Sequence, residues 1–490
     1  MSKWARSTLL ITGFSFIAAC GEGTAPANND QASGPESMAV DAIFADFDKP
    51  TSPGCAVAVD HNFQIVHKAG YGMADFEQGV EISPQSVFYA ASVSKQVVAM
   101  AAVLLAREGK IDLDEDIHTY IPEFQEYGQR LTVRQILQHL SGIRDYFNLF
   151  MLAGRLDGMV ITEDKIMDIL SKQKALNFTP GDKWAYSNSA YFLISQIVKR
   201  VDGRNLNDYA QDNIFTPLGM TSSRFQHNHR RPIKNKAHGH VNNDGEWLIA
   251  NSTLDVVGSG GMYTTVEDLI KWDRNFYNNV LGTGQDMIDE METTGVLNNG
   301  EDTNYGLALS LEPYKGLNRV SHGGSLSGYK AFLQRFPDQQ FSVALLCNIG
   351  GLNPQEIANK VTDIYLSDLY TEDTVSASVG AGSVEGDKTY DPRQGFDAST
   401  LDLSAYVGAY HNEDEVNNTV QISLNDDGDG LILSVFSRGQ FVPQSAMKFQ
   451  LSSTETPFSL DFDLDENGKP ISLTYNGSRV MGITFDRVGE

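Results

Sequence analysis

At 490 residues, 41% of them apolar, the chain is too long for one ordinary domain and carries enough hydrophobic side chains for a sizeable core, so two or three globular pieces are expected. Its 63 acidic residues outnumber 37 basic ones, and the formal charge of −26 excludes nucleic acid as a natural partner. The same charge repels the body from an anionic lipid surface, so attachment to a membrane cannot come from a basic patch.

The chain begins MSKWARSTLLITGFSFIAAC: two cations (Lys3, Arg6), an apolar stretch from Thr8 to Ala19, and small residues before Cys20. That order is an export signal, and its apolar stretch is too short to span a bilayer comfortably, so a cleaved signal over residues 1–20 is expected. Ile17-Ala18-Ala19-Cys20 resembles the lipobox of bacterial lipoproteins, which implies a lipid on Cys20 and a place on the periplasmic side of the cell envelope. Residues 21–37, GEGTAPANNDQASGPES, read as a tether. Loss of Lys3 and Arg6 with the signal leaves 35 basic against 63 acidic residues, a charge of −28.

From Met38 the sequence turns globular. GCAVAVD and QIVHKAGYG read as two strands joined by a turn at Asp60-His61-Asn62. SKQVVAMAAVLLAREGK is apolar on almost every face and therefore a buried helix, with Gly109 placed to cap it. RQILQHLSGI and SAYFLISQIVKRVDG show helical spacing of apolar residues; strand-like runs return at RVSHGG, YKAFLQRF and FSVALLCN, and PQEIANKVTDIYLSDLY closes the segment as a helix. This order predicts an α/β (α+β) domain over 38–370, with an antiparallel sheet assembled from both ends of the segment and flanked by helices. Cys55 and Cys347 both lie in these runs; a disulfide between them and two buried thiols are both compatible with the sequence.

Residues 371–399 are poor in large apolar side chains and read as a linker. From 400 to 490 the pattern alternates with period two (VQISL, LILSV, FSLDFDL, ISLTY), with Asn467-Gly468 and Asn476-Gly477 as turn signals, which predicts an all-β sandwich or barrel.

Chemistry is suggested first by ASVSKQVVAM. If Ser92 begins the buried helix, Lys95 lies one turn on and on the same face, where a desolvated amine can take the serine proton. The spacing alone fits an N-cap serine and a surface lysine equally well. Two further clusters change that: Trp184-Ala185-Tyr186-Ser187-Asn188 after Pro180-Gly181, and His322-Gly323-Gly324 in a strand-like run.

Together, S-V-S-K, Y-S-N and H-G-G resemble the three motifs of the serine β-lactamase and penicillin-binding-protein superfamily, in its class C-like branch. LTVRQILQHLSGIRDY, TPGDKWAYSN, IFTPLGM, GSGGMYTT and HGGSLSGY resemble that family's connecting segments. The resemblance implies a helical subdomain beside the sheet, with the site in the groove between them. It implies Ser92 as the acylated nucleophile, Lys95 as its proton partner, and Tyr186 as general base and then general acid, with its pKa lowered by the Lys95 charge. Asn188 would orient Lys95 or meet the substrate carbonyl, and His322 would bind the substrate's polar end or tune Tyr186. Gly323 and Gly324 would leave room for a substrate backbone, and the backbone N–H groups of Ser92 and Ser325 would form the oxyanion hole.

His322 stands where many antibiotic-hydrolysing members carry lysine, so efficient β-lactam hydrolysis is not expected, and the absence of an S-D-N triplet excludes the class A arrangement. The expected protein is an exported, membrane-anchored serine hydrolase of D,D-peptidase or esterase type. It would act on small esters or amides, D-amino-acid peptides and peptidoglycan fragments among them. The rival is an envelope protein whose groove binds without turnover. No cofactor is expected. His227, His229, His238 and His240 raise a metal site, but they lie in a polar stretch with no nearby thiolate or carboxylate, and none is predicted.

Overall fold

The computed structural model describes residues 34–156, 158–282, 284–371, 396, 398, 401–436, 439–452 and 458–489. The export signal, Cys20 and most of the tether and linker lie outside these residues. No helix among the described residues is long and apolar enough to cross a membrane.

Strands β1 (Cys55–His61) and β2 (Gln64–Tyr71) form a hairpin, and β3 (Val320–Leu326), β4 (Tyr329–Phe336) and β5 (Phe341–Cys347) follow nearly 250 residues later. They join in the order β3-β4-β5-β1-β2, with every neighbouring pair antiparallel, so the sheet is built from both ends of the domain. Alternation explains why its central strands are apolar throughout. Val57, Val59, Val343 and Leu345 face one core, with Val40 and Phe44 of α1 (Pro35–Phe44) and Ile357 and Val361 of α5 (Pro354–Leu366). Ala56, Ala58, Ala344 and Leu346 face the other, with the helices that support the site. The two cysteines are register partners at the end of the β1–β5 pair and form a disulfide, Cα to Cα 4.0 Å.

Helix α2 (Lys95–Arg107) is buried along most of its length, as its all-round apolarity requires, and packs against α3 (Asn188–Asp202). Helix α4 (Val266–Asn278) lies across β1 and β5, and its Trp272 Nε1 donates to Gln96 Oε1 of α2 at 2.8 Å. RQILQHLSGI departs from expectation. Its helix covers only Val133–Leu137, because His139 takes φ 61° and Gly142 φ 72°, turning the chain back under the site.

The C-terminal piece is a closed eight-strand barrel with Tyr406, Tyr410, Phe449 and Phe462 packed together inside. Closure leaves no open sheet edge. Barrel and catalytic domain share one apolar cluster. At their junction Arg144 Nη1 donates to Glu415 Oε1 at 2.5 Å and Nη2 to the Met481 carbonyl at 2.7 Å, with the two charged side chains only 3% and 9% exposed.

Candidate active site

Ser92 lies in a single 3₁₀ turn, Ala91–Ser94, that runs directly into α2. Residues i and i+3 eclipse in such a turn, so Lys95 sits directly above Ser92. Lys95 Nζ donates to Asn188 Oδ1 at 3.0 Å and to the Ser259 carbonyl at 2.5 Å, and its third partner is Ser92 Oγ at 3.0 Å. The ammonium stem is fully buried, and burial holds its pKa well below 10.5; the Asp145 charge opposes this and Arg479 reinforces it. Ala91, just before Ser92, takes φ 46°, and both residues line the cleft.

Tyr186 faces Ser92 across the cleft that both line, and its ring centre lies 4.9 Å from Lys95 Nζ. The segment carrying it is clamped by the 139–142 turn. Ala185 N donates to the His139 carbonyl at 3.0 Å, Gly181 N to the Leu140 carbonyl at 2.9 Å, and Ser187 N to His139 Nδ1 at 3.1 Å. The His139 ring packs 4.3 Å from that of Tyr186, centre to centre. Tyr186 is half-buried as a residue, yet desolvation raises its pKa, while the bond to Ser92 and the Arg479 charge pull it down. Burial thus works against charge on both the Lys95 amine and the Tyr186 phenol.

Asn188, the first residue of α3, is held by a carboxylate that sequence reasoning passed over. Asp145 Oδ2 accepts from Asn188 N at 2.6 Å and from Asn188 Nδ2 at 2.8 Å, while Asp145 Oδ1 caps the helix Tyr146–Leu152 through Phe147 N and Asn148 N. Fixing the amide nitrogen on Asp145 leaves the amide oxygen facing Lys95.

Strand β3 is the sheet edge, and it borders the cleft. Ser321 exchanges backbone hydrogen bonds with Ser310 on the side away from β4, 2.9 Å each way. Alternate residues of a strand point their N–H groups the same way, so Gly323 and Ser325 also face outward. Ser325 N–H and the N–H of Ser92, in the first turn of its helix, thus both belong to residues that line the cleft. His322 lines the cleft with both ring nitrogens engaged: Nδ1–H donates to the Gly323 carbonyl at 2.6 Å, so Nε2 accepts from the Tyr305 hydroxyl at 3.0 Å. Burial first, and the Lys95 charge second, lower its pKa to about 3. A neutral, doubly tied imidazole supports the strand and carries no charge for an anionic substrate.

The two glycines of the triplet differ. A Cβ on Gly324 would lie 2.4 Å from the Ala90 carbonyl oxygen and 3.2 Å from Ser92 N, whereas on Gly323 it would make ordinary contact with the Phe332 ring at 3.4 Å. Gly324→Ala must push β3 off the nucleophile turn and is expected to lower kcat/KM about 100-fold, whereas Gly323→Ala stays within about threefold; steady-state kinetics of the two variants, with melting curves to verify folding, checks this.

The cleft measures about 540 Å³ and is also lined by Phe147, Leu254, Lys330 and Arg479. Arg479 comes from the barrel, and its guanidinium carbon lies 4.8 Å from the Tyr186 ring centre. Three of the four histidines of the polar stretch are engaged separately: His229 Nδ1 lies 2.8 Å from Asp255, His238 3.8 Å from Asp75, and His240 is buried beside Asn348, while His227 lines a different pocket. The carboxylates missing from their neighbourhood in sequence arrive from distant segments. No group of three or more metal-ligating side chains occurs among the described residues.

"Penicillin-binding protein 4*" of Bacillus subtilis (strain 168) is 26% identical over 304 residues, 58% of this chain and 65% of its own length. A D-aminopeptidase of Brucella canis is 26% identical over 316 residues, 64% of this chain and 60% of its own. The match thus spans less than two thirds of either relative. The octameric penicillin-binding protein homologue from Pyrococcus abyssi shares the fold over 92% of this chain and 98% of its own, with TM-score 0.61 at 20% identity. D-amino acid amidase from Ochrobactrum anthropi SV3 shares it over 69% and 100%, with TM-score 0.57 at 21% identity. The beta-lactamase family model matches residues 40–364, and with its Ser-x-x-Lys, Tyr-x-Asn and His-Gly-Gly segments the chain belongs to that family of serine hydrolases.

Proposed function

We propose that this protein is an exported, lipid-anchored hydrolase of the class C-like type that acylates Ser92 with D-amino-acid peptides or related esters and releases the acyl group to water. The observation that carries the reading is the convergence of Lys95 and Tyr186 on one serine oxygen, with Ser92 and Ser325 N–H groups beside it.

In acylation the Ser92 proton passes to the uncharged Lys95 amine while Oγ attacks the substrate carbonyl, and the developing alkoxide is met by the two backbone N–H groups. Collapse of that intermediate breaks the bond to the leaving group, which takes the Tyr186 proton. The acyl-enzyme then holds an ammonium and a phenolate together. In deacylation the phenolate takes a proton from water, hydroxide attacks the ester carbon, and the ammonium returns its proton to Ser92 Oγ as the acid product leaves. Asn188 keeps Lys95 aimed throughout, and His322 braces β3.

A preference for D-configured substrates is supported by the relatives named D-aminopeptidase and D-amino acid amidase. Export is supported by the leader over residues 1–20 and by the disulfide, a bond at home in oxidising compartments; Cys20 is the proposed point of lipid attachment. Peptidoglycan-derived peptides fit such a location. A fluorophosphonate or fluorescent penicillin should label the native chain and leave Ser92→Ala unlabelled. Equal labelling of both, or of neither, would overturn the acyl-enzyme reading.

A further inference from the structure

The Asn476-Gly477 turn belongs to the last barrel hairpin, Pro470–Asn476 and Met481–Arg487. Its loop is tied to the catalytic domain through backbone atoms. The Arg479 carbonyl accepts from Asp145 N at 3.1 Å and from Asn177 Nδ2 at 2.9 Å, and Met481 N donates to Asn177 Oδ1 at 2.8 Å. The loop is therefore anchored at the same carboxylate residue that orients Asn188, and the Arg479 side chain is left to point at the Tyr186 ring.

Three features of that guanidinium point to a ligand. No carboxylate pairs with it among the described residues, although the chain is rich in acids, 63 in 490 residues. Among the described residues no Asp or Glu lines the cleft, while Lys330 and Arg479 both do. Lys330 spends one of its three donors on Ser325 Oγ at 2.7 Å, and His322 is neutral and tied. Arg479 is thus a cleft cation whose side chain has no hydrogen-bond partner among the described residues, and a guanidinium presents a planar fork suited to a carboxylate, which a lysine ammonium does not.

Its position also assigns a side of the reaction. Tyr186 is the group that protonates the leaving group, so a charge packed on the Tyr186 ring faces the leaving-group half of the substrate.

Resting on the acyl-enzyme reading above, we propose that Arg479, delivered by the C-terminal barrel, is the specificity residue that binds a free carboxylate on the leaving group. The enzyme then removes C-terminal residues bearing an α-carboxylate in preference to the same residues amidated. A substrate selected by a free amine would call for an acid in this cleft, and none lines it.

The test uses the full chain and two ligands that differ in one group, N-acetyl-D-alanyl-D-alanine and its C-terminal amide, each titrated for protection of Ser92 against a fluorophosphonate. Protection is expressed as the amide-to-acid ratio of half-protecting concentrations within each variant, so any change in labelling rate cancels. A ratio of roughly 10–100 is expected for the native chain, falling to about 1 in Arg479→Gln and recovering in part in Arg479→Lys. A native ratio near 1, or one unchanged in Arg479→Gln, overturns the subsite. Failure of the native chain to label at Ser92 instead overturns the acyl-enzyme reading; the two failures are read separately.

Discussion

Replacing Lys95 by methionine is expected to lower kcat/KM by roughly 10³–10⁴-fold and to erase a limb of the pH profile. The amine works as acceptor of the Ser92 proton only when uncharged, so the native rate should rise with pH through the folded Lys95 pKa, held by burial well below 10.5, and then level off. His322, with its pKa near 3, contributes no limb at neutral pH. Labelling rates measured from acid to alkaline pH decide the matter: the same rising limb in Lys95→Met would assign it to another group. The stability sign follows from the same shift. Because the folded pKa lies below the unfolded one, the buried amine costs stability in full below its folded pKa, and that cost fades as pH climbs toward the unfolded value. The acidic-side penalty should be absent from the methionine variant, which thermal melts at several pH values will read.

Arg144→Ala is expected to cost about 3–5 kcal/mol, because it strands Glu415 in the junction between the domains with its charge unpaired. The loss should appear as a lower melting temperature and as new protease cleavage at the domain boundary. Undocking the barrel also withdraws Arg479, so the acid-over-amide preference should fall although Arg479 itself is intact. Arg144→Met combined with Glu415→Leu removes both charges at once and should recover much of the stability. If Arg144→Ala keeps both its melting temperature and its acid preference, the ion pair does not hold the barrel in place.

What could be read from the residues divides by range. Helix α2 was legible because all-round apolarity has few explanations, and the barrel strands because period-two alternation between turn residues is a local pattern. Ser92, Lys95 and Tyr186 were singled out through short motifs whose spacing reflects one turn of helix or the start of one. Asp145 was missed although it sits in a segment already singled out, because a buried carboxylate and a solvated one look alike until its partners, Asn188 and the helix it caps, are in place. The direction in which burial pushes Lys95 and Tyr186 was hidden for the same reason, since desolvation depends on everything packed around a group. Arg479 was least accessible: its turn was predicted, but its meaning comes from docking a second domain, which leaves no local periodicity. The disulfide was undecidable because it requires the register of β1 against β5, which the residues of neither strand specify.

That bond has a consequence for how the polypeptide is made and broken. Residue 55 waits for residue 347, so the middle of the sheet cannot close until almost the whole hydrolase domain has been synthesised. Once closed, it makes a covalent ring around every helix that carries the reaction centre. A nick anywhere inside that ring leaves the two fragments travelling as one species on a gel until a thiol is added.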